Sequence, residues 1–129
     1  MNITIQTIDH AKHLYPTAGD WRFDQWGDLN IKVSNMGDWK FEFLVAFHEQ
    51  IETVLCKVHG IKEEDVTAFD IAFEKERAEG KHDEYADPGD DSRAPYYIQH
   101  RYATTVEREM ATHLGVDWGA YGEAISKLP

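Results

Sequence analysis

Residues 41–60, FEFLVAFHEQIETVLCKVHG, carry the pattern that decides the fold of this chain. Leu44, Phe47, Ile51, Leu55 and Val58 recur at spacings of three and four, which predicts an amphipathic helix with one apolar face against a core. The stretch ends in glycine, the residue that most often closes a helix. We therefore expect a long central helix over these residues, around which the remaining elements pack.

Two ionisable side chains interrupt the apolar face of this predicted helix. His48 and Glu52 are four residues apart, so a helix places both on one side, beside Leu44, Ile51 and Leu55. Moving a charged group out of water is costly unless a partner compensates for the lost hydration. The pair therefore needs a buried partner from another part of the chain.

The composition indicates one folded domain spanning residues 1–129. Hydrophobic residues make up 42% of the 129 residues and aromatic residues 12%, which is sufficient for a core. Acidic residues outnumber basic ones 24 to 13, which gives a net charge of −11. This charge disfavours nucleic acid and anionic membranes as partners and favours cations. The composition identifies neither the substrate nor the oligomeric state, and a homodimer is one alternative.

The compartment is predicted from cysteine usage and from the absence of targeting patterns. Cys56 is the single cysteine, so no disulfide can form within the chain and a reducing compartment fits. The first residues lack the basic start and apolar run of a signal peptide, and no segment approaches the roughly 20 apolar residues that span a bilayer. We expect a soluble, cytoplasmic protein.

The predicted elements run from strands to helices. Alternating residues indicate a first strand with one buried face and then a hairpin, and helical spacing with terminal glycines indicates the helices. The strands are predicted near 3–5, 21–23 and 29–33, the helices at 41–60, 61–80 and 95–114, and a last helical turn near 118–121. This order predicts an α+β fold in which an antiparallel sheet of about three strands packs against three main helices.

Each of the three predicted helices carries possible metal ligands on its apolar face. The first carries His48 and Glu52, the second Asp70, and the third His100 and Glu107. Imidazole nitrogens and carboxylate oxygens bind Zn²⁺, Mn²⁺ and Fe²⁺, and buried polar groups must find one another or a metal.

We therefore predict a divalent metal site held by His48, Glu52 and His100. Zinc is the first choice, with manganese, iron or magnesium as alternatives. Asp70 or Glu107 is predicted to be a fourth ligand or the partner that orients an imidazole. A hydrogen-bonded network of histidine and carboxylate without metal is the competing interpretation.

Residues 48–52, HEQIE, form an HExxE motif that resembles the HExxH helix of zincin-like metallopeptidases. Glutamate replaces the second histidine of that motif and remains an oxygen ligand of similar reach. The resemblance implies a metal-dependent hydrolase in which His48 and Glu52 bind metal, His100 is the third ligand and Glu49 is the general base.

A second resemblance covers most of the chain and implies no activity. Four segments resemble small uncharacterised proteins of phages and prophages: HEQIETVLCKVHGI, FDIAFE, DPGDDSRAPYY and HRYATTVEREMATHLGVDW. This resemblance implies that the polar residues named above belong to one group of residues that act together.

Two other functions remain open. Glu49, Glu52, Asp70 and Glu74 resemble the carboxylates with which all-α nucleotide pyrophosphatases hold Mg²⁺, although their spacing departs from that family's pattern. The other is a non-enzymatic acidic binding protein of the phage type, in which the inward polar groups form only a core network.

Overall fold

The computed structural model describes residues 1–129 and shows an α+β fold. Three strands come first and four helices follow, with two short 3-10 segments at His10–Lys12 and Pro88–Asp90. The elements are β1 (Ile3–Ile8), β2 (Gly19–Phe23), β3 (Leu29–Ser34), α1 (Trp39–Val58), α2 (Glu63–Ala78), α3 (Tyr97–Leu114) and α4 (Trp118–Ser126).

The sheet is mixed, with the strand order β1–β3–β2. β2 and β3 form the predicted antiparallel hairpin, in which Trp21 lies opposite Ile31. β1 runs parallel to β3, with Ile5 opposite Ile31. The prediction of a purely antiparallel sheet is therefore wrong. Residues 9–18 carry the chain past the end of β3, which makes β1 a neighbour of β3 and not of β2.

β3 is the central strand of the sheet and contributes most to the core. Its side chains Leu29, Ile31 and Val33 are at most 1% exposed. The face predicted to be buried on β1 is instead open, because Ile3 and Ile5 are 42% and 46% exposed. β1 is thus an edge strand joined to the domain mainly by its backbone pairing with β3.

Helix α1 lies against the sheet on one side and against α3 on another. Asp38 caps its start and accepts hydrogen bonds from the backbone N–H groups of Lys40 and Phe41 at 2.9 and 3.4 Å. The buried residues of α1 are Leu44, Val45, Ala46, His48, Glu52, Thr53 and Cys56.

The buried face of α1 is rotated from the predicted one. Leu44 is buried as predicted, but Phe47, Ile51 and Leu55 are only partly buried and Val58 is 76% exposed. His48 and Glu52 lie within the buried face of the helix.

The chain has four helices where three were predicted, because the last helical turn is a nine-residue helix, α4. Asp117 caps α4 by accepting a hydrogen bond from the N–H of Ala120 at 2.8 Å. Tyr121 of α4 is 2% exposed and packs on Phe41 and Trp118. None of the four helices combines the length and apolar character needed to cross a membrane.

Candidate functional site

Three side chains from α1 and α3 meet in the interior. Nε2 of His48 lies 3.0 Å from Oε2 of Glu52 and 3.1 Å from Nδ1 of His100. Nδ1 of His100 lies 2.9 Å from the same glutamate oxygen. All three residues are buried. We refer to His48, Glu52 and His100 as the ligand triad.

The spacing within the ligand triad fits a divalent metal ion. At metal–ligand distances of about 2.1 Å, neighbouring ligand atoms around one ion lie about 3.0 Å apart at right angles and about 3.4 Å apart in a tetrahedron, and the triad distances lie near the lower of these values. Helix geometry supplies the first two ligands, because residues four apart on α1 share a face. The packing of α3 on α1 then brings His100 to the same point.

The hydrogen bonding of His48 determines which of its ring nitrogens faces Glu52. Nδ1 of His48 lies 2.8 Å from Oε1 of Glu107, so this nitrogen carries the proton when Glu107 is ionised. A neutral His48 then presents the lone pair of Nε2 to a carboxylate oxygen of Glu52. Two lone pairs at this distance repel unless a proton or a metal ion lies between them.

Without a metal ion, protons lie between the nitrogen and oxygen atoms of the triad. Burial opposes a charge on His48, but hydrogen bonds with Glu107 and Glu52 outweigh it and raise the pKa of His48 well above its ordinary value. Burial likewise opposes the ionised form of Glu52, yet hydrogen bonds from His100 and His48 lower the pKa of Glu52 to about 2. Metal binding at this site therefore has to displace protons.

Glu107 lies behind His48, outside the ligand triad. Its second oxygen, Oε2, accepts a hydrogen bond from the hydroxyl of Tyr121 at 2.5 Å. A chain of hydrogen bonds thus runs from Tyr121 of α4 through Glu107 to His48. This is the arrangement by which carboxylates fix the tautomer and the orientation of a metal-binding histidine.

The imidazole of His100 is held by residues 87–90, DPGD, which we call the acidic turn. The backbone of Gly89 lies directly on the ring, since a Cβ atom there would be 2.3 Å from Cγ of His100. Oδ1 of Asp87 and Oδ1 of Asp90 lie 3.6 and 3.5 Å from Nε2 of His100. These contacts were not predicted from the sequence, although the Pro-Gly pair between two aspartates is typical of a tight turn.

Asp70 is placed beside two tyrosines and does not join the ligand triad. Its carboxylate accepts hydrogen bonds from the hydroxyl of Tyr15, at 2.9 Å, and from that of Tyr96. Burial raises the pKa of Asp70 to about 7 although both tyrosine bonds act against this shift. Sequence reasoning missed the two tyrosines, because Tyr15 is 55 residues away in the chain.

Glu49, predicted to be the general base, makes no side-chain hydrogen bond. Burial and the neighbouring charge of Glu52 raise the pKa of Glu49 well above its ordinary value. Gly19 of β2 makes room for this side chain, since a Cβ atom at Gly19 would lie 2.9 Å from Cγ of Glu49 and 2.7 Å from Val45. Glu49 is therefore a partly buried carboxyl group without a fixed partner.

One open cavity of about 880 Å³ borders all of these groups. Its size is within the range of small-molecule sites in proteins. Carboxylates dominate its polar lining, and Tyr15, Trp21 and Tyr96 contribute aromatic surface. Arg77 also lines it but is paired with Glu74, with Nε 2.9 Å from Oε2.

Comparison with known proteins adds no family to this description, because no family model, curated protein or solved structure matches the chain.

Proposed function

We propose that this protein binds one divalent metal ion through the ligand triad and uses it to hydrolyse a substrate bound in the adjoining cavity. The observation that carries the proposal is the convergence of Nε2 of His48, Oε2 of Glu52 and Nδ1 of His100 within 3.1 Å of one another. The triad borders an open cavity, from which water and substrate would reach a bound ion.

Zinc is the metal that this ligand set favours most. Two imidazoles and one glutamate form a set known from catalytic zinc sites, in which a fourth position stays open. The same donors also suit manganese and iron, and the relative affinities follow the general order for first-row metals. The buried and reduced Cys56 fits our placement of the protein in the cytoplasm.

Glu49 is assigned the role of general base in this reaction. A metal ion held by His48, Glu52 and His100 would supply Lewis-acid chemistry beside Glu49. Its positive charge would lower the pKa of Glu49, which burial and Glu52 raise. Glu49 can then accept a proton from water and return it to the leaving group, because no hydrogen bond holds its carboxylate elsewhere.

Elemental mass spectrometry on tag-free protein tests the metal site. Wild-type protein is expected to hold at least one zinc, manganese or iron per chain, and His48→Ala to lose the ion held by the triad. His113→Ala is the matched control, since His113 is exposed. Absence of metal in the wild type, even after incubation with Zn²⁺ and Mn²⁺, would contradict the proposal.

The catalytic role is tested with Glu49→Gln. This variant is expected to keep its metal and to lose hydrolysis of a panel of ester, amide and phosphoester substrates by about 10²–10⁴-fold. Equal turnover by the wild type and Glu49→Gln would remove Glu49 from the mechanism. Metal binding without turnover of any substrate would leave a metal-binding protein that is not a hydrolase.

The magnesium pyrophosphatase alternative has weaker support. Glu74 is engaged by Arg77, and Asp70 by Tyr15 and Tyr96, so these carboxylates do not converge with Glu52 on one point. A site made of oxygen ligands alone would survive His48→Ala, which separates the two proposals. The non-enzymatic acidic binding protein is the interpretation that remains if no metal binds.

A further inference from the structure

The imidazole of His100 has a second edge that the proposed function does not use. Nδ1 belongs to the ligand triad, whereas Nε2 points to the acidic turn and makes no hydrogen bond. The side chain of His100 is only 7% exposed. Nε2 of this largely buried side chain is aimed at two carboxylates without a hydrogen bond to either, which is a suitable position for a cation between them.

The distances around Nε2 fit a cation better than a hydrogen bond. Oδ1 of Asp87 and Oδ1 of Asp90 lie 3.6 and 3.5 Å from this nitrogen, beyond the usual length of an N–H···O bond. Around an ion at about 2.1 Å from tetrahedral ligands, neighbouring ligand atoms lie about 3.4 Å apart. The three atoms all lie within 4.8 Å of one another, so one ion can reach all of them.

The charges of the acidic turn are not neutralised by the protein. No lysine or arginine forms an ion pair with Asp87 or Asp90, whose only ion-pair contact is His100. Both side chains are more than half exposed, at 51% and 61%, which leaves coordination positions open to water or substrate.

The acidic turn is also fixed over the ring. Oδ1 of Asp87 accepts a hydrogen bond from the N–H of Gly89 at 2.8 Å, and the backbone of Gly89 packs on the imidazole of His100. The two carboxylates are therefore held at the edge of the ring by the same contacts that orient the ring.

We propose that a second divalent cation binds between Nε2 of His100 and the carboxylates of Asp87 and Asp90, so that His100 bridges two metal ions. This inference rests on the proposed function, because the first ion occupies Nδ1. The bridge forms when the Nε2 proton of His100 leaves to solvent, so one proton is released for each second ion bound. The second ion adds positive charge to a cavity wall dominated by carboxylates, where an anionic group of the substrate can bind.

Equilibrium dialysis against Zn²⁺, followed by elemental analysis of the protein, tests the second site. Wild-type protein is expected to hold two zinc ions per chain, and Asp87→Asn/Asp90→Asn to hold one. Asparagine at position 87 keeps an acceptor for the N–H of Gly89, so the turn is preserved. Glu64→Gln/Asp65→Asn removes the same charge from the exposed start of α2 and should still hold two.

The outcomes separate this inference from the proposed function. One zinc per chain in both the wild type and Asp87→Asn/Asp90→Asn overturns the second site and leaves the first. No zinc in the wild type overturns both. With two Cu²⁺ ions per chain, an imidazolate bridge couples their spins, so the electron paramagnetic resonance signal per copper should be weaker than that of the one-copper double variant. Uncoupled copper in the wild type would show that His100 does not bridge.

Discussion

Glu107 holds the imidazole of His48 from the side opposite the metal-binding edge, with its Oε1 2.8 Å from Nδ1. This contact decides which nitrogen of His48 is free to bind a metal, because a ring that donates from Nδ1 presents a lone pair at Nε2. It also connects α4 to the ligand triad, since Tyr121 donates to the same carboxylate.

Glu107→Gln is expected to weaken zinc binding about 10–100-fold. The amide keeps the size of the side chain but loses the negative charge that makes His48 more basic. Competition with a chromophoric chelator measures the affinity. Glu109→Gln, on the exposed face of the same helix, serves as the control and should bind zinc as the wild type does. Equal affinities in the two variants would argue that Glu107 is only a packing residue.

Gly89→Ala is expected to weaken zinc binding and to destabilise the fold by about 1–3 kcal/mol. The new methyl group would lie 2.3 Å from Cγ of His100, so the ring or the acidic turn must move. Gly122→Ala is the matched control because a Cβ atom there meets nothing within 4 Å in helix α4. That variant should gain up to about 1 kcal/mol from helix propensity. Urea unfolding with and without zinc measures both effects.

Zinc is expected to raise the melting temperature of the wild type on the order of ten degrees or more. A ligand that binds only the folded state stabilises it by roughly 4 kcal/mol at a thousandfold excess over Kd, and a domain of this size melts a few degrees higher per kcal/mol. Differential scanning calorimetry in zinc and in chelator measures the shift. His48→Ala should show no shift, and His113→Ala should show all of it.

Asp70 is expected to make the metal-free protein less stable as pH rises from about 4 to 7. Its pKa is raised from 3.8 to about 7 in the folded state, so the unfolded chain gives up this proton first. The stabilisation that protonated Asp70 contributes is fully present below the pKa of Asp70 in the unfolded chain. It is lost as pH rises through the pKa of Asp70 in the folded protein.

Asp70→Asn removes this ionisation and is expected to become more stable relative to the wild type as pH increases across that window. Urea unfolding in chelator at pH 4.5, 6 and 8 measures the difference, which should level off above pH 7. Asp65→Asn, exposed on the same helix, is the control for removing a carboxylate from α2. A constant difference for Asp70→Asn would mean that the tyrosine bonds keep Asp70 ionised at low pH.

Local patterns were sufficient to predict α1 and the β2–β3 hairpin, because each depends on residues close in the chain. They also selected His48, Glu52 and His100, which the structure brings together. The phase of α1 was wrong because the prediction counted only apolar side chains. Its buried face includes polar residues such as Thr53.

Contacts between distant segments could not be predicted in this way. The parallel pairing of β1 depends on how residues 9–18 cross the sheet, which strand periodicity does not encode. The position of Asp87 and Asp90 depends on the packing of Gly89 against His100, and nothing in a solvated acidic loop indicates which ring it will cover. The tyrosines around Asp70 likewise come from separate parts of the chain.

The contact between His48 and His100 joins positions 52 residues apart, in a chain whose single cysteine has no partner. The proposed metal ion would act at this point as a reversible cross-link. Like a disulfide, it would close a long loop and restrict the unfolded chain, but it would form by ion uptake and not by oxidation. The packing of α1 on α3 would then be coupled to the free metal concentration around the protein, and the resistance of the chain to proteolysis would follow that concentration.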